Sequence, residues 1–270
     1  MQRSEAWSKA WCSRMGLVAC AALSVGCFGS TQEDVKLAKA EYGLANDAFT
    51  RGSYREALDH IEKAVEVDTE NADAAYLGAL THLVFCAQDE DSPDCRLPEA
   101  ERYARLAIQA DENMRDAVNA LGVILVHQGR PLEAIEVLEP LSKDMLYLSP
   151  EKAWGNLGWA YLEAGNLDEA VPALQRSVAA QPLFCVGHYR LGLAYEKKKD
   201  YTSAEQSFSR AVSIEEGSCD RLQVAYWARA RVASKLGKLA EVRQDLEQCR
   251  KLASSSDTGK KCTTRLRKLQ

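Results

Sequence analysis

The stretch Trp154-Gly-Asn-Leu-Gly-Trp-Ala-Tyr161 places large apolar side chains at helical intervals. Trp154, Leu157 and Tyr161 fall on one face of a helix, because steps of three and four residues return to the same side of its axis. Gly158 belongs to the same pattern, and its lack of a side chain lets a second helix come close. The stretch therefore predicts a helix whose apolar face packs against another helix.

A second helix is predicted directly after this one. Gly165 marks a turn, Ala170 supplies a second small contact point, and Leu174 packs the second helix back onto the first. Pro182 ends the second helix because proline has no N–H group to donate. One such hairpin cannot bury its own apolar face, so it needs neighbours of the same kind.

Small and apolar residues return in the same order about every 34 positions, a spacing that resembles the tetratricopeptide repeat. Predicted repeats start near six residues: Ala38, Ala72, Arg115, Glu151, Cys185 and Gln223. The second repeat carries about nine extra residues between its helices, compared with the usual unit. In the sixth, Arg229 and Val242 replace expected anchors. The resemblance implies an all-α, right-handed superhelical solenoid of about six repeats over residues 38–256, followed by a basic capping segment over residues 257–270.

The first 26 residues are predicted to be a signal peptide. An apolar run from Met15 to Gly26 is too short to span a bilayer as a helix, and it follows three basic residues, namely Arg3, Lys9 and Arg14. An ordinary secretory signal and a cytosolic protein with an apolar N-terminus are the alternatives.

The stretch Leu23-Ser-Val-Gly-Cys27 resembles a bacterial lipoprotein signal, in which the cysteine becomes the acylated N-terminus. The resemblance implies lipidation of Cys27, with residues 27–37 as a tether. Cys20 ends a rival match with a less adequate apolar stretch. Phe28 is not the aspartate that often accompanies inner-membrane retention, so we expect a lipid-anchored protein of the outer membrane that faces the periplasm.

Six cysteines remain after Cys12, Cys20 and Cys27 are set aside: Cys86, Cys95, Cys185, Cys219, Cys249 and Cys262. In an oxidising periplasm an even number indicates up to three disulfide bonds. We predict a bond between Cys86 and Cys95, which bracket an acidic insert. For the other four, Cys185 with Cys219 and Cys249 with Cys262 are the most local pairings, and Cys219 with Cys249 is the rival.

A zinc site is the alternative use of the first two cysteines. His82 and Cys86 are four residues apart and share a helix face, and Cys95 is nearby in sequence. These three residues lack a clear fourth ligand for a tetrahedral site. The disulfide is therefore the preferred prediction, and no metal or other cofactor is expected.

The first helix of each tetratricopeptide repeat lines the concave face of the array, and in this chain the lining positions are unusually apolar and aromatic. The predicted partner-binding groove consists of Tyr42, Phe49, Tyr76, Leu80, Leu83, Val123, Val126, Trp159, Leu162, Tyr189, Leu193 and Trp227. Such a surface suits an amphipathic helix or an extended apolar segment. A frame error of one position would instead turn several of these side chains into the core.

The charge of the chain argues against nucleic acid as the main partner. From Cys27 onward, 31 lysines and arginines face 38 acidic residues, a net charge of −7. The last 21 residues reverse this balance, with seven basic residues against Asp257. This tail could touch anionic lipid or an acidic partner, and a solvated capping helix is the simpler interpretation.

Catalysis has little support in the sequence. The four histidines fall in different repeats, and no nucleophile triad or glycine-rich phosphate loop is present. We therefore predict neither an enzyme nor a small-molecule substrate.

The combination of a lipoprotein signal, a short tether and about six repeats resembles the type IV pilus pilotins, the PilF, PilW and Tgl group. Ala117-Val-Asn-Ala-Leu-Gly-Val123, the inserted second repeat and the stretch that ends at Tyr161 suit the Tgl type best. The resemblance implies an adaptor that binds secretin subunits and promotes their outer-membrane insertion and multimerisation for pilus assembly and motility. A general envelope scaffold that recruits peptidoglycan enzymes and a permanent structural subunit of the pilus machine are the alternatives.

Overall fold

The computed structural model describes residues 30–88, 92–215, 219 and 222–269, and the secondary structure of these residues is helical throughout. The predicted signal peptide and Cys27 lie outside the described residues. The helices are α1 Gln32–Thr50, α2 Tyr54–Val67, α3 Ala72–Gln88, α4 Leu97–Ala110, α5 Arg115–His127, α6 Pro131–Ser142, α7 Pro150–Ala164, α8 Leu167–Ala180, α9 Cys185–Lys197, α10 Tyr201–Val212, α11 Gln223–Lys235, α12 Leu239–Leu252 and α13 Asp257–Arg267.

The first twelve helices form six antiparallel hairpins, each packed against the next, and α13 follows the last one. Five of the hairpins begin within one residue of the predicted repeat starts, from α3 at Ala72 to α11 at Gln223. Several buried apolar clusters follow one another along the stack. Each hairpin is therefore stabilised mainly by its neighbours.

The first helix begins six residues before the predicted repeat start, at Gln32 rather than Ala38. The Thr31 hydroxyl accepts a hydrogen bond from the Asp34 N–H (3.2 Å), and the Asp34 carboxylate accepts one from the Thr31 N–H (2.9 Å). This reciprocal pair is a capping box, which satisfies N–H groups that a helix start leaves unpaired. The predicted tether over residues 27–37 is therefore wrong from residue 32 onward.

A glycine on the first helix meets a large side chain of the second in four hairpins, and in the second hairpin the pair is Gly78 with Tyr103. A Cβ atom added at Gly158 would lie 2.5 Å from Leu174 Cγ, and one added at Gly192 would lie 2.5 Å from the Phe208 ring. Gly122 stands against Leu138 in the same way. The close approach of the two helices therefore depends on these glycines.

Replacing Gly158 with valine is expected to lower the free energy of unfolding by about 1–3 kcal/mol, the usual cost of overpacking a core. Urea denaturation measures the change. Gly43→Ala is the matched control, because nothing lies within 4 Å of a Cβ atom added there. Alanine also favours the helix at that position by about 1 kcal/mol relative to glycine. Equal destabilisation by both substitutions would contradict the proposed role of Gly158.

Within the described residues, three disulfide bonds are formed: Cys86 with Cys95, Cys185 with Cys219, and Cys249 with Cys262. The two C-terminal bonds are the local pairings and not the rival pairing of Cys219 with Cys249. Because Cys86 and Cys95 are joined to each other, their thiolates do not serve the alternative zinc site with His82. Among the residues that the structure describes, no group of three potential ligands could hold a metal ion.

Helix α13 covers the end of the sixth hairpin. Cys262 and Leu266 are buried in a cluster with Val242 and Leu246 of α12. The Ser256 hydroxyl caps the helix by accepting a hydrogen bond from the Gly259 N–H (2.9 Å). The segment predicted to cap the array thus forms a helix over Asp257–Arg267 and packs as part of the last layer.

Candidate partner-binding groove

The first helices of the hairpins form one continuous layer. Each odd-numbered helix contacts the next odd-numbered helix, from α1 through α13. This arrangement places the odd-numbered helices on the inner curve of the stack, where the sequence predicted a groove.

Ten of the twelve predicted groove residues are partly exposed, whereas Val126 and Leu162 are buried. Both lie close to the end of their helix, where the hairpin closes. Leu162 packs in a cluster with Leu191 and Ala194 of the next first helix, α9. The prediction that Val126 and Leu162 line the groove is therefore wrong.

The N-terminal part of the groove is aromatic. Burial and the nearby carboxylate of Asp116 raise the pKa of Tyr76 to about 12, and burial together with Asp73 raises the pKa of Tyr42. Both phenols consequently stay neutral at physiological pH. They offer apolar rings with a hydroxyl group that can form hydrogen bonds.

Leu80 and Val123 differ from the other partly exposed groove residues in their packing. Tyr42, Tyr76 and Trp159 pack partly against the core, as do Phe49 and Leu83. Leu80 and Val123 are half-buried but stand outside the core clusters of the described residues. They occupy the same repeat position on the adjacent first helices α3 and α5, and this pair of residues is called the apolar step.

The middle of the groove carries a hydrogen-bonded ladder that crosses three repeats. Asn156 Nδ2 donates to Asn119 Oδ1 (2.8 Å), and Arg190 Nη1 donates to Asn156 Oδ1 (2.6 Å). The Arg190 guanidinium lies over the Trp159 ring at 4.5 Å from its centroid. Burial lowers the pKa of Arg190 to about 10, which still leaves it charged at neutral pH. The centre of this groove is therefore polar and positively charged.

The prediction of an unusually apolar and aromatic groove missed Asn156 and Arg190. The two residues are 34 positions apart, which is one repeat length. A search for polar side chains at the same position in successive repeats would have found them.

The C-terminal part of the groove is formed around Trp227. This residue lines two adjoining cavities of about 420 and 360 Å³. The cavity of about 420 Å³ is bordered by the ion pair of Arg231 with Glu196 (2.6 Å). The cavity of about 360 Å³ is bordered by basic residues of α13. The aromatic surface thus continues to the end of the array, where its surroundings become basic.

A family model described as "Tetratricopeptide repeat" matches residues 42–84, 96–140, 148–184 and 156–218, which together exceed half of the chain. The chain belongs to the tetratricopeptide-repeat family. As a tetratricopeptide-repeat protein it also matches much longer relatives, such as mouse superkiller complex protein 3. That match is 26% identical over 190 residues and covers 68% of this chain, which spans only 12% of the relative.

A relative of similar size is the type IV pilus assembly protein PilF of Pseudomonas aeruginosa. The two sequences are 29% identical over 200 residues, which cover 69% of this tetratricopeptide-repeat chain and 75% of PilF. Two solved structures share the fold. PilW, a type IV pilus biogenesis factor, has a TM-score of 0.69 at 21% identity and covers 84% of this chain and 99% of its own. The PilF structure has a TM-score of 0.64 at 19% identity, with coverage of 87% and 100%.

No helix in the described part of the chain combines the length and apolar character that a bilayer-spanning helix needs.

Proposed function

We propose that this tetratricopeptide-repeat protein is an outer-membrane lipoprotein pilotin, anchored through Cys27. In this role it binds secretin subunits and promotes their insertion and multimerisation for type IV pilus assembly. The observation that carries the proposal is the partly exposed apolar and aromatic row along the inner layer of helices. The similarity to PilF over most of its length supports the biological setting.

The groove suits a polypeptide that exposes apolar surface before it assembles. Large apolar side chains of such a segment can pack against the rings of Tyr42 and Tyr76 and against Leu80 and Val123. The partly exposed Arg190 adds guanidinium N–H groups that can donate to backbone carbonyls or carboxylates of the segment, and the buried Asn156 holds Arg190 in place. A tether to the membrane would also raise the local concentration of the groove where secretin subunits insert.

Deletion of the gene is expected to abolish heat-stable secretin multimers while secretin monomer remains. When the deletion strain carries the double variant Leu80→Glu/Val123→Glu, the amount of secretin multimer is expected to be about tenfold lower than with the unaltered gene. A loss of about 1.4 kcal/mol in binding free energy lowers the affinity for secretin tenfold. Two carboxylates in the apolar step would have to be desolvated against an apolar partner. Immunoblots of heated and unheated envelopes measure multimer and monomer together.

Leu132→Glu is the matched control. Leu132 is also a large apolar residue, 65% exposed, but it lies on α6, a second helix outside the groove layer. It is expected to restore multimers fully at equal protein level. Normal multimers with the Leu80→Glu/Val123→Glu variant would reject the groove as the secretin-binding surface, and normal multimers in the deletion strain would reject the pilotin function.

A further inference from the structure

The connector between α6 and α7 exposes three large apolar side chains side by side. Met145, Leu146 and Leu148 are 98%, 71% and 94% exposed. Single exposed apolar residues are common on soluble proteins, whereas a contiguous group usually marks an interaction site. This group lies outside the groove layer, so the proposed secretin contact does not explain it.

The connector that carries these side chains is firmly held. Tyr147 between them is buried, and its hydroxyl donates to Asp116 Oδ1 (3.0 Å). The Asp144 carboxylate accepts hydrogen bonds from Arg115 Nε (2.6 Å) and from the Leu146 N–H (2.8 Å). The apolar side chains are thus presented on a fixed backbone, so little conformational entropy is lost when they bind.

The connector lies at the same edge of the array as the start of α1. Successive helices run in opposite directions, so every link between hairpins falls at that edge. The Ser30 hydroxyl donates to Asp68 Oδ1 (2.7 Å), which joins the chain before α1 to the link between α2 and α3. Asp116 and Arg115 in turn join the start of α5 to the α6–α7 connector.

This edge would be held close to the bilayer by the proposed lipid anchor. Ser30 lies three positions after Cys27 in the chain, and a segment of that length can span at most about 10 Å. We infer that Met145, Leu146 and Leu148 enter the interfacial region of the bilayer as a second membrane contact. The inference rests on the proposed anchoring of Cys27.

Four N–H groups of the connector are paired within the protein, which lowers the cost of placing the connector in the interfacial region of the bilayer. The N–H groups of Lys143, Asp144 and Tyr147 donate to backbone carbonyls at 3.1, 3.1 and 3.2 Å, and the Leu146 N–H is paired with the Asp144 side chain. Unpaired backbone groups are what normally keeps a loop out of lipid. Lys143 and Lys152 are exposed on either side of the group and can reach lipid phosphates.

Three side chains are too few to anchor a protein alone, and their expected effect is on orientation. With Cys27 and the connector both at the membrane, the edge formed by the links between hairpins faces the bilayer. The groove then runs along the membrane surface, beside the position where a partner enters the bilayer.

Photocrosslinking in vesicles tests this orientation. The full, lipidated chain is reconstituted in phosphatidylethanolamine and phosphatidylglycerol vesicles with benzoylphenylalanine at position 148 or, as the matched control, at position 132. Leu132 is also exposed but lies at the other end of helices that are about 20 Å long. Mass spectrometry of the illuminated protein is expected to show at least about tenfold more lipid adduct at position 148, because position 132 lies a helix length from the bilayer.

Vesicle flotation in the same samples separates this inference from the anchor. A chain that floats but forms no excess lipid adduct at position 148 would overturn the second contact and leave the anchor in place. An adduct at position 148 to a second copy of the chain would also overturn it. A lipidated chain that does not float would reject the Cys27 anchor and the inference together.

Discussion

Replacing Asp245 with alanine is expected to lower the free energy of unfolding of the sixth hairpin by about 3 kcal/mol. The Asp245 carboxylate is only 3% exposed and accepts hydrogen bonds from Arg229 Nη2 (2.6 Å) and Nε (2.9 Å). Removing it leaves the Arg229 guanidinium, 23% exposed, without its anionic partner. The expected cost is at the lower end of the range for breaking a buried pair, because Arg229 keeps some access to water.

The loss is expected to be local, because each hairpin in a repeat array contacts only its neighbours. Hydrogen exchange should therefore accelerate in α11, α12 and α13 and remain unchanged in α1 to α4. The double variant Arg229→Met/Asp245→Leu is the control. It replaces both charges with apolar groups and is expected to stay within about 1 kcal/mol of the unaltered protein. If the double variant were as unstable as Asp245→Ala, the explanation by an unpaired charge would fail.

The double variant Cys185→Ala/Cys219→Ala is expected to be less stable by about 4 kcal/mol, because its disulfide closes a long loop in the unfolded chain. The two cysteines are 34 residues apart, and they also pack against Ile214 in a small buried cluster. The bond links the start of α9 to the chain between α10 and α11, so it spans one complete repeat. Its loss should release the link that follows α10 from the start of α9.

The Cys86→Ala/Cys95→Ala variant serves as the comparison for loop length. Its cysteines are nine residues apart, so the expected loss is smaller, about 3 kcal/mol. Urea denaturation of both variants and of the unaltered protein, under oxidising conditions, measures the difference. A larger loss from the short loop than from the long one would contradict the loop-closure explanation.

The positions of the hairpins could be predicted because a repeat constrains its own small residues. Gly122, Gly158 and Gly192 each recur one repeat apart, and each must face a large side chain of the second helix. That steric requirement fixes the phase of the sequence pattern. The start of α1 was missed because its capping box, Thr31 with Asp34, is a local device with no counterpart in the repeat.

The ion pair of Arg229 and Asp245 could not be predicted from a sequence pattern that considers only apolar residues. Arg229 stood out in the sequence only as a departure from the expected residue type. Its partner lies 16 residues later, the same separation that joins Gly158 to Leu174. The ion pair of Arg229 and Asp245 therefore joins the two helices of the sixth hairpin at the spacing where other hairpins have a glycine against a large apolar side chain. Val126 and Leu162 could not be placed, because their burial depends on how closely the next hairpin approaches.

A stack of similar units has no intrinsic end, since the outer face of its last member could accept another copy. Helix α13 removes that possibility at one end of this array. It is joined to α12 by the bond between Cys249 and Cys262, and Gly259 lies directly against the Ala253 carbonyl. Head-to-tail polymerisation requires two free faces. Head-to-tail association through the face of α12 would therefore require the covalently fastened α13 to leave the last layer.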